Sequence, residues 1–160
     1  MTSDHLADIE QYCRDVESGK RLAAKWERLA VSRHLNDLEQ STGDGFPFRF
    51  DRDAAARVIR FTEAFPHVKG RWARATGTAS KIRLEPWQKF VLGVLFGWVN
   101  KADGLRRFRI AYICVPRKNG KSVLAAAIGL YMMSEDEEPG AEIYCGATSE
   151  KQAWEVFRPA

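Results

Sequence analysis

Apolar residues recur at helical spacing through the first part of the chain. Leu6, Ile9, Cys13 and Val16 share one face, and Leu22, Trp26, Leu29 and Ala30 repeat the pattern after Ser18-Gly19. Residues 4–39 therefore predict two amphipathic helices with a break at the glycine. A loop, Ser41-Thr42-Gly43-Asp44-Gly45, follows. Asp51 is placed to cap a third helix that runs to about Phe65, with Val58, Ile59, Thr62 and Phe65 on one side and Pro66 closing it. His67 to Ser80 reads as an irregular loop and Lys81 to Leu84 as a short extended piece. Pro86 then suits the first position of a helix, since its missing N–H costs nothing there. Phe90, Val91, Val94, Leu95 and Trp98 give that helix a broad apolar face.

The pattern changes after residue 107. Phe108 to Val115 is β-branched, aromatic and nearly all apolar after Arg109, the signature of a strand buried on both faces. Gly120 to Met133 reads as a helix and Ala141 to Gly146 as a second strand. Ser149-Glu150-Lys151-Gln152 has the form of a capping box opening a further helix with Trp154 and Phe157. Strand, helix, strand, helix is a βαβ unit, so the expected class is α/β: a parallel sheet with helices on both faces, preceded by a helical region. The expected divisions are 1–66, helical; 67–84, a basic loop or linker; and 85–160, the first part of an α/β domain.

The chain has 160 residues, room for about one domain. No apolar run is long enough to span a bilayer, and no basic and apolar leader precedes the first helix, so the cytosol is the expected compartment. Cys13, Cys114 and Cys145 show neither metal-ligand spacing nor a disulfide framework; the latter two, in apolar runs, read as buried thiols. His5, His34 and His67 are isolated. Positive charge is clustered. Lys69, Arg71, Arg74, Lys81 and Arg83 lie together without an acid, and Arg106, Arg107 and Arg109 form a second group. Glu135-Asp136-Glu137-Glu138 has the opposite sign. The basic groups are compatible with a polyanion, although a solvated surface is the simpler reading.

The chemistry concentrates at Val115-Pro116-Arg117-Lys118-Asn119-Gly120-Lys121-Ser122, between predicted strand and helix. A nucleoside triphosphate needs backbone N–H groups around its phosphates, a cation on the terminal phosphates and a hydroxyl on magnesium. A strand-to-helix turn supplies the first, Lys121 the second and Ser122 the third. Gly120 lets the backbone approach closely. The standard pattern has Gly where this chain has Val115. Arg117, Lys118 and Lys121 crowd one turn without an acid, an arrangement that favours an anion among them. Upstream, in Leu84-Glu85-Pro86-Trp87-Gln88, Gln88 offers the donor and acceptor that suit an adenine edge, and Trp87 either stacks or packs.

These segments resemble a known family. Leu84-Glu85-Pro86-Trp87-Gln88, Phe96-Gly97-Trp98, Arg107-Phe108-Arg109, the Arg-Lys-Asn-Gly-Lys-Ser loop and Ala147-Thr148-Ser149-Glu150-Lys151-Gln152-Ala153 occur in order. Together they are similar to the ATPase domain of the large terminase subunit of tailed bacteriophages, of the HK97-like type, from about residue 15 onward. The resemblance implies an ASCE-type P-loop ATPase that uses ATP and Mg²⁺ to drive double-stranded viral DNA into a prohead, followed by a metal-dependent nuclease domain. It implies a homo-oligomeric ring acting with a portal protein and a small terminase subunit in the host cytoplasm, away from membranes. By motif, Lys121 and Arg117 would act on the phosphates, Ser122 on Mg²⁺, and Trp87, Gln88, Lys118, Asn119 and Gly120 would complete the nucleotide site. The departure at Val115 fits the family, which commonly lacks that glycine.

No counterpart of the Walker B strand, with its Asp and Glu, stands before Ala160. The sequence reading is therefore of a P-loop domain truncated before Walker B, able to hold a triphosphate but severely impaired in splitting it. Another P-loop nucleic-acid translocase or helicase-like ATPase, and a non-catalytic prophage remnant, are the alternatives.

Overall fold

The computed structural model describes residues 4–68, 71–136 and 140–158, without the side chains of residues 71 and 72. Of the charged runs, Lys69, the Arg71 side chain, Glu137 and Glu138 lie outside the described residues. Six helices are present among them: α1 (His5–Glu17), α2 (Lys25–Ser41), α3 (Arg52–Ala64), α4 (Pro86–Gly97), α5 (Lys121–Ser134) and α6 (Glu150–Phe157). Two three-residue strands, β1 (Phe48–Phe50) and β2 (Trp98–Asn100), complete the named elements, with short 3-10 turns at Arg71–Arg74 and Gly77–Ser80. The protein is mixed α/β and mostly helical.

Local chemistry sets the helix starts. Asp4 accepts from the N–H groups of Leu6 and Ala7, and Asp51 from that of Ala54. Gly19, in the left-handed region at φ 76°, ends the first helical piece. Pro86 opens α4 and Ser149 caps α6. Each follows the pattern of the sequence.

The chain divides into two compact units, Met1–Arg60 with Leu84–Ala111, and Phe61–Arg83 with Tyr112–Ala160. In the first, α1 packs on α2 and α4, burying Ile9, Tyr12, Cys13, Val31, Phe90, Leu92 and Phe96. Burial pushes the Cys13 thiol up to about 12. β1 and β2 pair antiparallel with Phe48 opposite Asn100 and Phe50 opposite Trp98. Trp98, placed on the α4 face by helical periodicity, instead starts β2. The helix stops at Gly97, whose carbonyl accepts from Asp51 N–H at 2.7 Å. There is no room for a side chain at Gly97: a Cβ would lie 2.6 Å from Phe50 Cε2 and 2.9 Å from Ala55 Cβ.

Trp98 is fully buried, and its Nε1–H donates to His34 Nδ1 at 3.0 Å. Phe50 and Phe90 pack edge-on around the imidazole, 5.1 and 5.8 Å away. Arg107 grips the buried Asp37 through two hydrogen bonds of 2.7 and 3.3 Å, and its guanidinium lies over the rings of Phe46, Phe48, Trp98 and Phe108. Lys89, also buried, reaches Asp8 at 2.7 Å.

In the second unit α5 packs on α6, and Phe61 packs edge-on against Tyr131. Here the expected strands are corrected. Residues 108–115 and 141–146 form no strand: among the described residues neither is paired, and the only named sheet is antiparallel. A run apolar on both rows calls for cover on both faces, and only one row has it. Ile113 and Val115 are half-buried, whereas Ile110 and Tyr112 are 89% and 91% exposed. Ile143 lies close against Gly129 of α5, while Tyr144 on the other row is exposed. Consequently Cys114 is exposed and Cys145 only half-buried, not the enclosed thiols that their apolar neighbours predict.

Burial lowers the His34 pKa from 6.5 to about 4, because an imidazolium there would lose its hydration. The unfolded chain thus binds a proton that the folded chain refuses, and stability falls as pH drops from 6.5 towards 4, by about 3 kcal/mol in all. Asp15 and Asp51, both held below the usual carboxylate range by hydrogen bonds, stay ionised through this window. Urea midpoints at pH 7 and pH 4.5 are expected to differ in the native protein and to converge in His34→Gln, which accepts the indole N–H without titrating. Gly97→Ala is expected to destabilise by about 2 kcal/mol in the same assay, because overpacking outweighs a helix-propensity gain of at most ~1 kcal/mol.

Candidate phosphate-binding site

Residues 116–120 turn the unpaired segment into α5. Lys118 (φ 67°) and Gly120 (φ 72°) are both left-handed. Gly120 adopts this freely, whereas Lys118 does so against a penalty of ~1 kcal/mol. Left-handed residues in a turn are how successive backbone N–H groups converge on an anion.

The carbonyl side of the turn is held by two side chains. Asn119 Nδ2–H donates to Pro116 O at 3.2 Å and to Arg117 O at 3.3 Å. Lys121 Nζ donates to Val115 O at 2.6 Å and to Pro116 O at 3.2 Å. These contacts engage the Val115, Pro116 and Arg117 carbonyls on one side of the turn. α5 starts there: Gly120 is its N-cap, no side chain caps it and its first turn carries no acid. A helix N-terminus carries roughly half a positive charge. Arg117, Lys118 and Lys121 are exposed around it, and Ser122 is half-buried in the first turn. The turn itself contains no carboxylate. This constellation can bind phosphate; it supplies no general base of its own.

The structure brings Arg117, Lys118, Asn119, Gly120, Lys121 and Ser122 together in the second unit. Trp87 and Gln88 stand in the first. Gln88 is buried, and its Oε1 accepts from Glu85 N–H at 2.9 Å, closing a capping box at the start of α4. The acceptor half of the amide suited to an adenine edge is therefore engaged with backbone. Trp87 is half-buried. The sequence reading missed this box, although the Glu85-x-x-Gln88 spacing carries it. It also missed the brace made by Asn119 and the contact of Lys121 with Val115, which no spacing reveals. Among the described residues no cluster of three or more His, Cys, Asp or Glu could hold a metal ion. No helix there is long and apolar enough to cross a membrane.

Residues 86–160 match the family described as terminase large subunit, ATPase domain. The match supports the terminase resemblance for the chain from Pro86 on. Among curated proteins, the large ribosomal subunit protein uL2m of Oryza sativa aligns with 29% identity over 112 residues, and its counterparts in the subspecies japonica and indica align identically. The alignment takes in 69% of this chain but only 22% of each relative's length. No solved structure matches the chain.

Loss of the Asn119 brace frees two carbonyls to turn towards the anion. Asn119→Ala is expected to weaken tripolyphosphate binding about tenfold in calorimetry, the worth of one or two hydrogen bonds, with little change in thermal midpoint.

Proposed function

We propose that the chain is the ATP-binding part of a viral DNA-packaging motor, a terminase large subunit. The observation that carries this reading is the turn at 115–122. Its carbonyls are engaged by Asn119 and Lys121, its helix start is uncapped, and three cations surround it without an acid. The family match over residues 86–160 supports a DNA-packaging ATPase role in general.

In this reading Lys121 leaves the Val115 and Pro116 carbonyls for the terminal phosphates. Arg117 and Lys118 add charge beside them, and the first N–H groups of α5 cradle the chain of phosphates. Mg²⁺ enters with the nucleotide. The Ser122 hydroxyl suits it, since magnesium keeps most of its waters and takes few protein oxygens. The ion would neutralise charge that builds on the phosphates during transfer. In this reading the runs 108–115 and 141–146, which are unpaired here, would pair as strands of an ASCE-type parallel sheet in a complete domain. Double-stranded DNA, a portal protein, a small terminase subunit and further copies in a ring are the partners it calls for, in the host cytoplasm. An adenine role for Gln88 requires its carbonyl to leave Glu85 N–H.

Lys121→Ala removes the cation aimed at the phosphates. It is expected to abolish binding of a fluorescent ATP analogue with Mg²⁺ in an anisotropy titration; unchanged affinity would rule this site out.

A further inference from the structure

Residues 20–33 carry Lys20, Arg21, Lys25, Arg28 and Arg33 against a single carboxylate, Glu27. That carboxylate is turned to α1, where it accepts from the Tyr12 hydroxyl. Three of the cations are held by the fold: Lys20 pairs with Asp15, Arg21 lies over the Tyr12 ring and Arg33 over that of Phe108. Lys25 and Arg28 remain in the first turn of α2, beside exposed apolar side chains. Leu22 is 95% exposed, Trp26 74% and Leu29 50%. The core of the first unit takes Val31, His34 and Asp37 from this helix and leaves these three outside.

The arrangement is ordered. Trp26 and Leu29 stand three apart on the first turns of α2, the spacing by which one helical face meets another, and Leu22 precedes them in the segment that leads into the helix. Lys25 Nζ stands 5.1 Å from the Trp26 ring centroid. Arg28 Nε donates to Ala23 O at 3.0 Å, which fixes the guanidinium beside the patch. Ala23, Lys25, Arg28 and Leu29 line a shallow depression. An apolar patch of this exposure, edged by cations, marks an interaction surface.

We propose that this face docks an acidic amphipathic helix of a partner protein. Its apolar residues would cover Leu22, Trp26 and Leu29, and its carboxylates would meet Lys25 and Arg28. Charge selects an acidic partner, since the carboxylate nearest in sequence is already bonded to Tyr12. Apolar content selects protein over nucleic acid: a phosphate backbone would leave Leu22 and Leu29 in water, and the Trp26 face that could stack a base is occupied by Lys25. Three anchors are too few for strong membrane insertion, but suit a hot spot at the centre of a modest interface.

The probe is a fluorescein-labelled helical peptide of Leu, Glu and Ala with its Leu on one face, titrated with the 160-residue chain. Controls are the same composition scrambled, the same peptide with Lys for Glu, a DNA duplex, and vesicles containing phosphatidylglycerol. Micromolar binding of the acidic peptide alone is expected. It should weaken at least tenfold in Leu22→Ser, in Trp26→Ser and in the double reversal Lys25→Glu with Arg28→Glu. Leu22→Ser keeps the test sound, because a side chain this exposed is dispensable for folding. Absence of peptide binding, binding indifferent to these changes, or patch-dependent binding of duplex or vesicles in its place would overturn the proposal.

Discussion

The first unit is organised around one hydrogen bond, from Trp98 Nε1 to His34 Nδ1. An indole N–H buried without an acceptor costs several kcal/mol, and so does a buried imidazole forced to carry a proton. Each group resolves the other's difficulty only when the ring is neutral and Trp98 of β2 meets His34 of α2. That requirement fixes where α4 must end, which is why a glycine stands at its last position. It also sets Phe50 opposite Trp98 in the two-stranded sheet. Arg107 closes the same cluster from outside, holding Asp37 while spreading over four rings. The motif residues Trp98 and Arg107 thus serve the architecture.

The candidate phosphate loop of the second unit follows a different logic. Its polar groups are treated unevenly: the Val115, Pro116 and Arg117 carbonyls are paired with side chains of the loop, and the helix start is left uncapped. Such a turn is already shaped for its anion, so little backbone ordering is left for binding to supply. The left-handed Lys118 is part of that preparation, and its conformational cost is met in folding.

Most helices were legible because their determinants are local. Apolar spacing placed α1 and α3, Gly19 marked the break, and Asp51, Pro86 and Ser149 marked starts; for α2 the expected face of Leu22, Trp26 and Leu29 is exposed, and the helix buries Val31, His34 and Asp37 instead. The β1–β2 pair was not legible. Each strand is three residues long, and Phe48-Arg49-Phe50 is held extended by a partner far downstream, beyond the reach of any periodicity. Trp98 continued the apolar face of α4 in pattern, and only the close approach of Phe50 and Ala55 to Gly97 shows why the helix stops before it. The opposite error arose at 108–115 and 141–146. Composition reports what a segment would tolerate as neighbours, whereas a strand exists only where a neighbour pairs with it. At the candidate site, the sequence offers the residue types that phosphate chemistry would demand, but hydrogen-bond partners were not legible. Gln88 shows the difference, since one amide suits both an adenine edge and its own helix start.

The contact of Lys121 with the Val115 and Pro116 carbonyls bears on which ligands the loop would accept. A cation already solvated by two backbone oxygens moves only for a better anion. As a phosphate site, the loop would therefore work as a threshold. A single phosphate of low charge would sit at the helix start and leave the lysine where it is. A triphosphate would reach far enough, and carry enough charge, to draw it away. If the loop is the proposed phosphate site, the carbonyl pair would set a minimum on the charge and length of the ligand that draws the lysine away.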